Sequence, residues 1–307
     1  MNILSVFDGI SCGKIALRRA GIPVESYFAS EIDKYAIAVS RYNHPEIVQL
    51  GNIKNWQEWR LPQIDMLIGG SPCQGFSNAG KGLNFEDERS KLFFVFVDIL
   101  KALKPKYFLL ENVRMKRQWQ DIITQYIGIE PILIDSALVS AQSRKRLYWT
   151  NIPNVTLPED KGLLLQDIIE DGFTDRDKSY CISAQYKPTF RNYLERHRCQ
   201  IVWKNWNGNT AKKRIIFKSS CIDEKSSCLI ANPGGKGSPS IFYTDMSWRN
   251  LTPIECERLQ TLPDNYTQYG LFEDTVKPIS NSQRYKMLGN GWTVDVIAHI
   301  FSFIQKE

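Results

Sequence analysis

Short apolar segments alternate with amphipathic helical segments over about the first 150 residues, and this alternation restricts the fold more than any other feature of the chain. Strands separated by helices favour a mostly parallel sheet that is covered by helices on both faces. We therefore predict an α/β fold with a doubly wound sheet. The predicted strands are residues 3–7, 25–29, 48–50, 64–68, 107–110, 132–139 and 147–150, and the predicted helices are 13–20, 33–43, 90–104 and 117–126.

The alternation weakens beyond about Pro153, where glycine, proline, serine and asparagine become frequent, most densely at 232–239. The pattern of the last segment, 282–305, is helical again. We therefore predict two domains. Residues 1–160 and 276–307 would form the larger one, and residues 161–275 a smaller, irregular, β-rich one.

Positive charge is concentrated in one segment of the chain. The net charge is +6, but residues 178–218 hold ten basic residues and one acid, a surplus of nine that leaves the remainder at −3. Seven aromatic residues are interleaved with these charges. A charge run alone is more often a solvated surface. Because this run coincides with the irregular segment, it favours nucleic-acid binding.

The cysteine and histidine content argues against two other classes of protein. The seven cysteines are scattered without a Cys-x-x-Cys pair and there are three histidines, so neither a disulfide framework nor a metal site is predicted. No apolar run approaches the roughly 18 residues of a membrane span, and the apolar part of the amino terminus is too short for a signal peptide. The expectation is a cytoplasmic protein without membrane contact.

Cys73 follows the predicted strand 64–68 within the sequence Gly-Gly-Ser-Pro-Cys-Gln-Gly-Phe-Ser. A glycine-rich turn after a central strand can supply backbone amides that stabilise a thiolate, as a nucleophile requires. A single free cysteine is more often a small buried hydrophobic residue. On this motif alone both interpretations stay open.

The turn after the first strand, 8–13, leads directly into a helix, an arrangement that brings backbone amides close to a nucleotide-like ligand. Glu31 stands 22 residues after Gly9, where its carboxylate could accept hydrogen bonds from ribose hydroxyls. Dinucleotide sites have three glycines at fixed spacing, whereas this turn has only Gly9 and Gly13. The motif is either a cofactor site or an ordinary tight connection.

Taken in order, these motifs resemble those of the DNA cytosine-5 methyltransferases, which use S-adenosylmethionine. The resemblance implies a Rossmann-like methyltransferase sheet and extends along the whole chain except about 161–242. Two details, Ser11-Cys12-Gly13 and Gly291-Trp292-Thr293-Val294, look more like the de novo branch of that family. The matching segments are 7–13, 31–32, 51–53, 70–74, 89–93, 111–113, 142–146, 249–260 and 288–291.

Four residues are expected to be catalytic: Cys73, Glu111, Arg144 and Arg146. The Cys73 thiolate would add to carbon 6 of cytosine, because carbon 5 is too electron-poor to attack a methyl sulfonium directly. Glu111 would hydrogen-bond the ring nitrogen and amine that gain charge in this step. Arg144 and Arg146 would donate to that carboxylate and to the carbonyl oxygen of the base, or else contact phosphate.

The resemblance also implies a cofactor site. Phe7 and Ile32 would sandwich the adenine, and Leu92 and Trp292 would close the pocket, although each could equally be a core residue. Asn52 stands where the family usually has aspartate, so its contact with the adenine amine would lack charge. The expected cofactor residues are Phe7, Asp8, Gly9, Ser11, Gly13, Glu31, Ile32, Asn52, Ile53, Gly70, Pro72, Leu92, Asn290, Gly291 and Trp292.

Double-stranded DNA is the expected substrate, with the target cytosine flipped out of the stack. Residues 74–89 would close over the base and the basic segment would contact the flanking sequence. A cognate restriction endonuclease, acting separately, is a possible partner. The expected DNA-binding residues are Gln74, Ser77, Arg89, Arg191, Arg198, Lys204, Asn205, Asn207, Lys212, Lys213 and Arg214.

Four other classes of protein would require different residues at these motifs or a different substrate. A methyltransferase for exocyclic amines would carry an Asp-Pro-Pro-Tyr type sequence where this chain has Ser71-Pro72-Cys73-Gln74, so that class is excluded. A nicotinamide dehydrogenase would need the three-glycine turn. An RNA cytosine-5 methyltransferase is the main alternative, because basic residues and aromatic stacking can bind RNA as well as DNA. A non-catalytic nucleic-acid binder would not need Cys73 together with Glu111.

Overall fold

A seven-stranded sheet forms the centre of the computed structural model, which describes residues 1–71, 88–184, 186, 193, 199–204 and 248–305. The strand order is β3-β2-β1-β4-β5-β7-β6; the first five are parallel, and β7 is antiparallel to both its neighbours. This topology confirms the predicted mostly parallel sheet. Its strands are β1 (Asn2–Val6), β2 (Ser26–Ser30), β3 (Val48–Gln49), β4 (Met66–Gly70), β5 (Tyr107–Val113), β6 (Ile132–Asp135) and β7 (Lys145–Thr150).

Helices cover both faces of this sheet and form a separate hydrophobic core with each face. Ile3 of β1 belongs to one hydrophobic core with α1, α2 and α8, and the next residue, Leu4, belongs to a second core with α3 and α4. Successive strand residues point to opposite faces, so one strand supplies both cores. The helices are α1 (Cys12–Arg19), α2 (Lys34–Asn43), α3 (Glu88–Leu103), α4 (Arg117–Ile127), α5 (Leu165–Ile168), α6 (Pro253–Leu259), α7 (Asn281–Asn290) and α8 (Val294–Phe301).

Two predicted strands differ from the structure by three residues or more at one end, and the other five differ by at most two. β6 ends at Asp135 rather than at Val139, because the Asp135 carboxylate accepts from the backbone N–H of Ala137 and starts a short 3-10 helix, Ser136–Leu138. β5 extends to Val113 rather than ending at Leu110, because β7 pairs with it as far as Val113. Glu111 therefore lies within a strand and not in the turn after it.

The residues beyond 161 form smaller sheets. β8 (Ile201–Trp203) pairs with β9 (Trp248–Asn250), and the hairpin of β10 (Tyr269–Phe272) and β11 (Thr275–Pro278) packs against α2. Tyr193, Ile201 and Trp203 form a small core of their own.

Other residues of the range 161–275 join the main core. Leu165, Ile182, Leu251 and Leu259 are buried in the same cluster as β1 and α8. The first part of the range is also held to the larger body through Lys178, whose ammonium group donates to three backbone carbonyls, including those of Ala137 and Ser140. The domain boundaries at 161 and 275 stay a prediction.

Among the helices of the described residues, none combines the length and the apolar character that crossing a bilayer requires. In the same parts of the chain, no group of three or more His, Cys, Asp or Glu side chains is placed to hold a metal ion.

Candidate active site

A cavity of about 500 Å³ opens where β1, β2, β4 and β5 end. The carboxyl ends of parallel strands are where α/β proteins place their ligands. Nine of the expected cofactor residues line it, together with Glu111, Arg144 and Arg146. The nine are Phe7, Gly9, Glu31, Ile32, Asn52, Ile53, Gly70, Leu92 and Asn290.

Glu31 joins the two turns at one end of this cavity. Its Oε2 accepts from the backbone N–H of Gly9 at 2.8 Å, and its Oε1 accepts from the N–H groups of Ile32 and Asp33 at 2.7 and 2.9 Å. A carboxylate can accept about four hydrogen bonds. The plane of the carboxylate is therefore fixed, and Oε2 keeps capacity for one more donor, such as a hydroxyl group.

Two apolar side chains line the same end of the cavity. Ile32 is 73% exposed, which is unusual for isoleucine and leaves its surface free to contact a ligand. Phe7 has a left-handed backbone conformation, φ 58°, at the start of the turn after β1. An apolar surface beside a carboxylate suits a nucleoside, which has a flat ring and hydroxyl groups.

Asn52 contacts the polypeptide as well as lining the cavity. Its Oδ1 accepts from the backbone N–H of Lys54 at 3.0 Å and so caps the 3-10 helix Ile53–Glu58. The oxygen that was expected to accept from an adenine amine thus already has one donor. That contact stays a prediction.

Asp8 supports the first turn from inside. Its carboxylate accepts from Tyr27 Oη at 2.8 Å and from Ser11 Oγ at 2.6 Å. Burial raises the pKa of Asp8 to about 6, although these hydrogen bonds act in the opposite direction. Ser11, the residue before α1, has a left-handed backbone conformation with φ 60°. Asp8, Ser11, Gly13, Gly291 and Trp292 are not among the residues that line the cavity.

Glu111 lies at the other end of the cavity, opposite Gly70 in the parallel register of β4 and β5. Its Oε1 is 3.0 Å from Arg146 Nε, and its Oε2 accepts from Trp292 Nε1 at 3.1 Å. The side chains of Glu111 and Arg146 are only 12% and 14% exposed. This carboxylate therefore has a hydrogen-bond donor on each oxygen and is largely shielded from solvent.

Arg144 is held by backbone carbonyls, whereas Arg146 is paired with Glu111. Its Nη1 donates to the carbonyl of Ile182 at 2.9 Å, and its Nη2 donates to those of Gly289 and Gly291 at 3.0 and 2.9 Å. Every one of these acceptors belongs to the backbone. A direct contact between Arg144 and the base stays a prediction.

Cys181 lies between the two arginines. Its sulfur is 3.2 Å from Arg144 Nη1 and 3.8 Å from Arg146 Nη2. Burial of the thiol acts against ionisation, but the two guanidinium groups outweigh it and lower the pKa of Cys181. The motif matches gave no indication of this residue, because it lies within 161–242, the range that the resemblance does not cover.

Comparison with known proteins identifies the family. A family model described as C-5 cytosine-specific DNA methylase matches residues 1–306. The chain belongs to this family. Such DNA methylases use S-adenosylmethionine as methyl donor, and the cavity fits it, because an apolar surface, a carboxylate and the glycine turn meet at one end.

Several bacterial and phage methylases are similar in sequence. The Type II methyltransferase M1.ScrFI of Lactococcus lactis subsp. cremoris is 29% identical over 96% of this chain and 76% of its own length. M.NlaX of Neisseria lactamica is 28% identical over 97% of this chain and 94% of its own. The orphan methyltransferase M.Rho11sI of Bacillus phage rho11s is 34% identical, but over 57% of this chain and 36% of its own length.

Solved structures share the fold of this methylase. A mutant of Spodoptera frugiperda DNMT2 superposes with a TM-score of 0.65 at 20% identity, covering 98% of each chain. The Entamoeba histolytica methyltransferase EhMeth superposes with a TM-score of 0.67 at 17% identity, covering 99% of this chain and 97% of its own. At such identities the likeness concerns the fold alone.

Many expected site residues of the methylase lie outside the described part. Pro72, Cys73, Gln74 and Ser77 belong to 72–87, and only the backbone of Arg89 is described, in the first turn of α3. Lys204 is described and exposed. The other DNA-binding predictions that lie outside the described residues are Arg191, Arg198, Asn205, Asn207, Lys212, Lys213 and Arg214.

Proposed function

We propose that this DNA methylase transfers a methyl group to carbon 5 of a flipped-out cytosine in a short DNA sequence, through a covalent adduct of Cys73. The observation that carries this proposal is Glu111, held by Arg146 at one end of a cavity whose other end suits the cofactor. The base and the methyl donor would meet between these ends. Bound S-adenosylmethionine supplies the electrophilic methyl group.

Cys73 enters the reaction as a thiolate and forms a bond to carbon 6 of the ring. The electron pair of the 5,6 double bond is then available at carbon 5, while negative charge spreads toward ring nitrogen 3 and the carbonyl oxygen. Glu111 hydrogen-bonds nitrogen 3 and the exocyclic amine and shares a proton with them. After the transfer, loss of the proton on carbon 5 restores the double bond, and the thiolate leaves carbon 6.

Arg146 assists this step through Glu111. Its Nε lies 3.0 Å from Oε1 of the carboxylate, and its Nη1 donates to the backbone carbonyl of Lys145 at 2.9 Å. The second contact fixes the guanidinium plane, so the position of Oε1 is also fixed. Asn112 secures the same strand end by donating to Ser71 Oγ at 3.0 Å, which joins β5 to the residue after β4.

In the cell, the methylase would act in the cytoplasm, either beside a cognate restriction endonuclease or as a solitary enzyme. Relatives named as Type II methyltransferases support the first role, and the phage relatives named as orphan methyltransferases support the second. The basic segment 178–218 would supply the contacts to duplex DNA that flank the target.

Bisulfite sequencing of DNA from cells that express the chain tests both activity and target. We expect methylation in one short motif, and a loss of at least about 100-fold in Cys73→Ser and Glu111→Gln, which is the usual effect of removing a nucleophile or a general acid. DNA binding should be retained in both variants. Glu130→Gln, which changes a glutamate with a 62% exposed side chain, is the control and should retain full activity.

Three outcomes would contradict the proposal. One is full methylation by Cys73→Ser, which would exclude the covalent adduct. Another is failure of DNA carrying 5-fluorocytosine in the methylated motif to become trapped at Cys73 when the methyl donor is present. A third is transfer to structured RNA in preference to duplex DNA, which would favour an RNA methyltransferase.

A further inference from the structure

Trp292 forms the second hydrogen bond to the Glu111 carboxylate, although the two residues are 181 positions apart. The indole Nε1 donates to Oε2 at 3.1 Å, opposite the oxygen that faces Arg146. Gly70 lies beneath this hydrogen bond. A Cβ at position 70 would stand 2.9 Å from Glu111 Oε2 and 3.0 Å from Trp292 Nε1, so only glycine leaves the bond room.

A second donor changes what the carboxylate can do. The terminal torsion of a glutamate is broad, so a carboxylate held at one oxygen can still rotate about its last bond. Arg146 holds Oε1 and Trp292 holds Oε2, and together they fix the carboxylate plane. The indole is a neutral donor that cannot ionise. It therefore adds orientation without adding charge.

The turn that carries Trp292 is itself firmly held. The Gly291 carbonyl accepts from Arg144 Nη2 at 2.9 Å and from Gln260 Nε2 at 3.2 Å. Arg144 also donates to the Gly289 carbonyl, and Gln260 to the Leu288 carbonyl at 2.6 Å. Both side chains are buried, Arg144 at 3% and Gln260 at 0% exposure. The backbone before Trp292 is thus fixed on both sides, and with it the position of the indole.

We infer that Trp292 is a positioning residue that sets the plane of the Glu111 carboxylate for cytosine, and that Arg144 acts through the turn that carries Trp292. This inference rests on the proposed role of Glu111. The indole could either orient Glu111 or merely close the cofactor pocket, and the two functions can be told apart. A residue that only closed the pocket would affect binding of the methyl donor and not the activation of cytosine.

Trp292→Phe removes the N–H donor and keeps an aromatic ring. Its matched control is Trp149→Phe, since Trp149 is fully buried and donates to Thr124 Oγ1, also at 3.1 Å, away from the cavity. The main measurement is tritium release from duplex DNA labelled at carbon 5 of cytosine, without the methyl donor. Addition at carbon 6 allows carbon 5 to exchange its hydrogen with water, so this rate reports cytosine activation alone.

We expect Trp292→Phe to slow tritium release and kcat by about tenfold, less than the loss on removing a general acid altogether. The KM for DNA and the Kd for S-adenosylmethionine, measured by calorimetry, should stay within about twofold, which is about 0.4 kcal/mol. Trp149→Phe should leave the release rate unchanged. Gly70→Ala, which places a methyl group against the same hydrogen bond, should slow release as Trp292→Phe does.

The inference is overturned if Trp292→Phe releases tritium at the normal rate, whether or not its affinity for S-adenosylmethionine falls. It is also overturned if the control variant slows release equally, since the effect would then be a general loss of packing. Glu111→Gln separates this failure from that of the proposed function. Normal release in Glu111→Gln removes the role of Glu111 itself, whereas loss there with normal release in Trp292→Phe removes only the role of Trp292.

Discussion

Burial of the Asp8 side chain changes the pH at which its carboxyl group ionises. Burial of its carboxyl group disfavours the charged form and raises its pKa from 3.8 to about 6, while the hydrogen bonds from Ser11 and Tyr27 partly offset this effect. In the unfolded chain the same group is in water. The folded protein therefore binds this proton more tightly than the unfolded one does.

Asp8→Asn should make the stability less dependent on pH. In the wild type, the folded state binds more protons than the unfolded state between about pH 4 and pH 6, so the free energy of unfolding falls as pH rises through this range. The shift in the pKa of Asp8 corresponds to a decrease of about 3 kcal/mol in the free energy of unfolding across this pH range. Urea unfolding at pH 4 and pH 7 measures the difference. An equal loss in Asp8→Asn would show that other groups cause it.

At the residue scale, the sequence was informative where chemistry depends on a local motif. Glu111 and Arg146 were predicted from short segments, and the structure places them 3.0 Å apart. Their catalytic role stays a prediction. The contact with Trp292 could not be predicted, because it depends on how the carboxyl-terminal turn packs across the sheet. Arg144 was grouped with Arg146 by motif, yet its guanidinium group donates to three backbone carbonyls and to the sulfur of Cys181.

At the scale of elements, α7 is distinguished by how closely it approaches another part of the backbone. Gly289 lies in its last turn, directly against Ser183 and Ala184, and a Cβ at this position would overlap their backbone atoms. A backbone atom cannot move aside as the end of a flexible side chain can. Glycine is therefore required here for space and not for its conformational freedom.

Gly289→Ala should destabilise the protein by about 3 kcal/mol, the upper end of the usual cost of overpacking. Ser282→Ala is the control in the same helix, because Ser282 is exposed; its effect should stay within about 0.5 kcal/mol. The midpoint of urea unfolding measures both. A change of less than about 1 kcal/mol in Gly289→Ala would mean that the segment 183–184 moves aside easily.

The bounds of helices, which follow from apolar periodicity, were predicted well. The bounds of strands, which depend on pairing with other strands, were predicted less well. The bounds of α2 and α4 agree with the predicted helices to within one residue. β5 is longer than predicted because Glu111 and Asn112 look like the start of a turn, whereas pairing with Tyr148 and Leu147 of β7 continues the strand. Such pairing joins distant segments and leaves no local signal.

At the scale of the whole molecule, charge is separated along the sequence. The segment 178–218 carries a surplus of nine positive charges, and the rest of the chain is slightly negative. Affinity for DNA should therefore depend steeply on salt and arise mainly from this segment. The end of the cavity at which we expect the cofactor is built from other residues, so binding of DNA and binding of the cofactor should respond to mutation independently.

Replacing Lys212, Lys213 and Arg214 together with alanine should weaken DNA binding and flatten its salt dependence. The slope of log K against log salt should decrease by about 0.9 for each lost phosphate contact, up to about 3. The control is alanine at Lys101, Lys104 and Lys106, which removes the same charge. These lysines lie between the last turn of α3 and the first residue of β5, and none of them lines the cavity. Fluorescence titrations at several salt concentrations measure both. Equal slopes in the two triple variants would show that the effect comes from net charge alone.

The hydrogen bond from Trp292 to Glu111 also bears on how the protein is made. A ribosome reaches Trp292 181 residues after it has added Glu111, and α8, which follows Trp292, packs against α1 from the start of the chain. The carboxylate therefore cannot take its final orientation in a nascent chain, even when the thiol and the basic segment have already been synthesised. Translation that stops before this point leaves a fragment that lacks both this bond and the packing of α8 on α1, so we expect such a fragment to leave DNA unmarked.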